Sequence, residues 1–103
     1  MLSEEMGRLI LKEAFEAQGY DIVENYTLRA GQSVVELDGY DPKARLGYEY
    51  STREDGMDLN LLESFMVENQ CRLFVMDEES AVDAQGMLSA VFEFFREVES
   101  RAE

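Results

Sequence analysis

Residues 33–51, SVVELDGYDPKARLGYEYS, decide the fold. Two runs of strand-forming residues flank one turn at Asp41-Pro42-Lys43-Ala44. Asp starts turns, and Pro fixes φ at the next position. A turn centred between Lys43 and Ala44 sets Asp38 opposite Glu49. Side chains alternate along a strand, so both acids are expected on one face of the sheet. Like charges opposed in this way destabilise a strand pair by up to about 1 kcal/mol. The pair therefore requires a cation between the acids, a raised pKa on one, or open solvent around both. The plainer reading makes Glu36 and Asp38 the solvent side of the hairpin. A one-residue slip in register would separate the two acids.

The flanking sequence supplies the other elements. Residues 3–18 read as a helix, capped by Ser3, with Glu4 and Glu5 at the positive end of its dipole. Met6, Leu9, Ile10, Ala14 and Ala17 form its apolar stripe, and Gly19 stops it. Glu13 lies at the stripe edge, facing either water or the Asp38/Glu49 face. Residues 20–29 read as a strand, and Ala30-Gly31-Gln32 as a turn. The second strand spans about 33–40 and the third about 45–52. A polar loop with Glu54, Asp55 and Asp58 follows. A helix over 59–70 has Asn60 and Glu63 as a possible capping box. Residues 71–76, CRLFVM, read as a central buried strand. Asp77-Glu78-Glu79-Ser80 precedes a last helix whose stripe is Ala84, Leu88, Val91, Phe92, Phe95 and Val98. The expected fold class is α/β, one layer of mixed sheet flanked by helices in the order αβββαβα. The last strand follows a crossover helix and should run parallel to a neighbour.

At 103 residues the chain is expected to form a single domain, 1–103, with a core that needs no disulfide. Its one cysteine, Cys71, sits in an apolar run and reads as a buried, inert thiol. The N-terminus does not resemble a signal peptide, and no run approaches the roughly 20 apolar residues that span a bilayer. A cytoplasmic location is expected. Histidine is absent, which removes the commonest general base and zinc ligand. Twenty-three acids against nine bases give a net charge of −14. Only Lys43 and Arg45 form a local basic pair. That balance argues against direct binding of nucleic acid or anionic membrane by the isolated chain.

The element order resembles the core of the PD-(D/E)XK, or restriction-endonuclease-like, superfamily. The resemblance covers about 75 residues, from the first helix through CRLFVM. It implies a restriction-endonuclease-like core in which Asp38 is the second-strand acid and Glu49 the third-strand acid. Both would be catalytic and would hold magnesium, with Glu13 as a first-helix glutamate completing the metal shell. Two departures stand out. The family lysine position after Glu49 is Ser51, which cannot supply a positive charge. The acidic surface would also repel a polyanion. Tyr40, Tyr48 and Tyr50 read as packing residues, with the last two opposite to Glu49.

The degraded motif implies a non-catalytic protein-interaction or regulatory module, working as a homo-oligomer or with a protein partner. The alternatives are a magnesium-dependent phosphodiesterase or nuclease using Asp38 and Glu49, and a purely structural domain.

Overall fold

The computed structural model describes residues 3–51, 59–77 and 83–101, with side chains from 62 in the second segment and to 100 in the third. The expected element order holds: α1 (Glu4–Ala17), β1 (Val23–Ala30), β2 (Ser33–Asp41), β3 (Leu46–Ser51), α2 (Leu59–Asn69), β4 (Arg72–Asp77) and α3 (Ala84–Arg101). The acidic loop with Glu54, Asp55 and Asp58 lies outside the described residues. So do the Asn60 side chain and Glu78-Glu79-Ser80.

Local chemistry sets the helix ends. Ser3 Oγ accepts the Met6 N–H at 3.1 Å. At the other end of α1, Gly19 (φ 100) lets the chain reverse. The Gly19 N–H then donates to Glu16 C=O and the Tyr20 N–H to Phe15 C=O, which satisfies two orphan carbonyls. At the end of α2 the same two-bond closure uses Gln70 (φ 51), a residue with a Cβ in a conformation that favours glycine.

The four strands lie in the order β1-β2-β3-β4. The first three form an antiparallel meander, and β4 runs parallel to β3, as a crossover through α2 requires. The expectation of a central position for CRLFVM is overturned, because β4 lies at the sheet edge. Its apolar run has a different cause, which is that both of its faces are covered. Phe74 and Met76 pack with α1 and α3, while Leu73 packs in a second cluster with Leu62 and Phe65 of α2.

The α1 stripe is also corrected. The buried face is Gly7, Leu11, Ala14 and Phe15, whereas Met6 and Leu9 are about half exposed. The helix is turned so that its backbone at Gly7 meets the Tyr50 ring. A Cβ built there would lie 2.7 Å from that ring, so only glycine allows the approach. Phe15 contacts Tyr48 and Phe95, with ring centroids 5.0 and 4.8 Å apart, and joins α1, β3 and α3 in one core. On α3 the buried residues are Met87, Val91 and Phe95, while Phe92 is half exposed.

Candidate functional site at the β2–β3 seam

The hairpin register is the one expected. Gly39 pairs with Tyr48, Tyr40 with Gly47 and Asp41 with Leu46, which places Asp38 across from Glu49. Asp41 builds the turn: its Oδ1 accepts the N–H groups of Lys43 and Ala44, and its Oδ2 accepts the Asp21 N–H. Burial pushes the Asp41 carboxyl up, but the three backbone donors from Asp21, Ala44 and Lys43 outweigh it and hold it below the ordinary value.

The two strands part just beyond Gly39 and Tyr48, and side chains replace the backbone ladder there. Asp38 Oδ2 accepts the Tyr50 N–H at 2.7 Å. Glu49 Oε1 accepts the Asp38 N–H at 3.2 Å. Each acid thus satisfies an amide on the strand opposite its own. Asp38 and Glu49 are both buried, with 8 and 5% exposure. Buried backbone donors rarely go unpaired, so this exchange has a structural purpose in itself.

The expected shared face is corrected. Leu37 and Tyr40, three positions apart, both pack in the α2-side cluster, so the alternation of β2 is broken between them. Gly39 lies at that break, under the Tyr48 ring. On β1, Asn25 adopts φ 53 within the stretch that pairs with this part of β2. The break directs Asp38 toward α1, where its Oδ1 meets Arg8 Nε at 3.0 Å. Arg8 also binds Glu4 at 2.6 Å, one turn back on the helix. Glu49 sits between Tyr48 and Tyr50, which both face α1 and α3, so its Cβ leaves β3 on the other side. The two acids therefore straddle the seam.

The opposed charges have two answers in this geometry: Arg8 supplies the cation and backbone N–H groups supply the donors. Arg8 went unrecognised in the sequence because the α1 stripe was read one position out of phase. The available signal was Glu4 and Arg8 at i, i+4 spacing beside Gly7.

Glu13 is exposed on α1 and does not join the pair. Among the described residues, no group of three or more acidic or cysteine side chains is placed to hold a metal ion. Magnesium needs several free, convergent oxygens. Asp38 has both oxygens engaged, and Glu49 has one on an amide. This donor set does not fit a magnesium site. Ser51 is half-buried at the end of β3.

The tyrosines are packing residues, as expected. Tyr48 and Tyr50 are almost wholly buried. Burial pushes the Tyr48 phenol up, helped by the nearby charges of Glu24, Asp38 and Glu16. Tyr40 is pushed up to about 12, chiefly by burial and then by Cys71. Burial likewise pushes the Cys71 thiol up, which keeps it protonated and inert. No described helix is long and apolar enough to cross a membrane. Compared with known protein families, curated proteins and solved structures, the chain matches none.

Proposed function

We propose that this chain is a restriction-endonuclease-like domain working as a non-catalytic protein-interaction or regulatory module. The observation that carries the proposal is the engagement of the acids at the seam. Asp38 is held by Arg8 and the Tyr50 N–H, and Glu49 holds the Asp38 N–H. Carboxylates bound in this way close a split between strands. A catalytic metal site instead keeps its oxygens open to ion and water. The family reading is supported by the antiparallel meander followed by a parallel fourth strand. The charge of −14 supports a protein partner over a polyanion.

The test is calorimetric titration of magnesium and manganese into wild type and Asp38→Ala, alongside hydrolysis of a labelled single-stranded and duplex DNA. The expected result is no Asp38-dependent heat and no cleavage. Binding that Asp38→Ala abolishes, together with cleavage, would replace this reading with the metal-dependent phosphodiesterase.

A further inference from the structure

We infer that the outer edge of β4 and the groove beside it form a docking site for an extended, basic peptide segment of a partner protein. The inference rests on the interaction-module reading and gives that module its surface.

Strand geometry opens the edge. The Arg72 N–H donates to Arg45 C=O, so the amide of Arg72 points toward β3. Alternation sends those of Phe74 and Met76 the same way and those of Leu73 and Val75 outward. Among the described residues no strand lies beyond β4. The opposite edge is blunted. Asn25 kinks β1 with φ 53, and Asn69 Nδ2 donates to Arg29 C=O at 2.8 Å. Kinked and side-chain-capped strands resist pairing, whereas a regular apolar edge invites it. This contrast singles out β4.

The groove beside β4 sets the chemistry of the occupant. It has a volume of about 500 Å³ and lies between Phe74 and the face of α3 carrying Ala90, Glu93, Phe94, Arg96 and Glu97, so acids outnumber bases in its lining by two to one. Phe74, Ala90 and Phe94 make an apolar floor. Glu93 and Glu97 are exposed, one helical turn apart, and neither has an ion-pair partner among the described residues. Like charges at that spacing repel, and an incoming cation relieves the repulsion.

A side chain suited to this groove has an apolar stem and a cationic head, which is arginine or lysine. An added strand alternates its side chains, so its other face lies over half-buried Val75 and takes an apolar residue. The occupant is therefore an extended segment alternating basic and β-branched residues.

The probe is the hexapeptide acetyl-Arg-Val-Arg-Val-Arg-Val-amide, titrated into ¹⁵N-labelled full-length chain and followed by NMR. Amide shifts are expected at Leu73, Val75 and α3 positions 90–97. The same peptide N-methylated on every backbone amide nitrogen keeps its charge but has no N–H on either edge to donate to the sheet. It should bind at least about tenfold more weakly, from the loss of ladder hydrogen bonds. Glu93→Gln with Glu97→Gln, both on the surface, should weaken the unmodified peptide by about threefold or more.

No binding at millimolar peptide overturns the inference. Equal binding of the N-methylated peptide also overturns it, by reducing the contact to bulk charge. Sedimentation showing a dimer with protected Leu73 and Val75 amides would assign the edge to a second copy instead. If the peptide fails while metal binding and cleavage are also absent, this docking site alone falls. Asp38-dependent metal binding with cleavage would remove the module reading, whatever the peptide does.

Discussion

Replacing Asp38 with alanine removes two interactions at one buried point. The first is the 2.7 Å bond from the Tyr50 N–H to a charged oxygen. A hydrogen bond to a charged group contributes about 1.5–3 kcal/mol, and this one lies at a buried position. The second is the contact with Arg8, whose side chain is about half exposed. Such a pair contributes at most about 1 kcal/mol after solvent screening. Together the loss is about 1.5–4 kcal/mol. With a urea m value of about 1.5 kcal/mol/M, the denaturation midpoint should fall by about 1–2.7 M.

Two control substitutions separate these contributions. Arg8→Ala removes the half-exposed ion pairs with Asp38 and Glu4 but keeps the Tyr50 bond, and should cost at most about 1 kcal/mol. Asp38→Asn keeps an acceptor for Tyr50 and should fall between the two. An acid poised for a ligand is a burden on the fold, and its removal is often neutral or stabilising. An unchanged or raised midpoint in Asp38→Ala would therefore refute the structural role of the Asp38–Tyr50 bond. A loss in Arg8→Ala equal to that in Asp38→Ala would make the ion pair, rather than the amide bond, the main contribution.

Gly39→Ala should lower stability by about 1–3 kcal/mol in the same urea assay, because a Cβ there would lie 2.3 Å from the buried Tyr48 ring. An unchanged midpoint would mean that the ring can move aside. Gln70→Gly should raise stability by about 0.5–1 kcal/mol by relieving the left-handed backbone at the end of α2; a loss would show that the Gln70 side chain contributes more than its backbone costs. Asp41 is held below its ordinary value of 3.8 in the folded chain, so its stabilisation is present above that pH and is lost as pH falls through the lower folded value. Asp41→Asn should therefore flatten the acid limb of stability against pH below about 4, and a limb as steep as that of wild type would contradict this.

Much of the fold was legible because it rests on short-range chemistry. Asp41-Pro42 fixed the turn, the turn fixed the register, and the register placed Asp38 across from Glu49. Ser3 and Gly19 marked both ends of α1. The side of the sheet that Asp38 faces was not legible, because it depends on a break in alternation at Gly39 near a left-handed Asn25. Neither residue announces such a break from its neighbours in sequence. The partner of Asp38 was hidden for a related reason. Gly7 carries no side chain, so a count of apolar residues overlooks it, yet its contact with Tyr50 sets the rotation of α1 and brings Arg8 to the acid. The edge position of β4 was likewise masked, because burial by helices on both faces gives the same apolar run as a central position.

Manganese titrated into ¹⁵N-labelled protein tests the structural role of the acids most directly, since the ion broadens the amides around any site it occupies. If Asp38 and Glu49 close the strand seam, the amides of Asp38, Glu49 and Tyr50 should broaden no sooner than those beside exposed Glu13. Selective broadening of those three at low manganese, lost in Asp38→Asn, would show instead that the pair yields its internal partners to a metal.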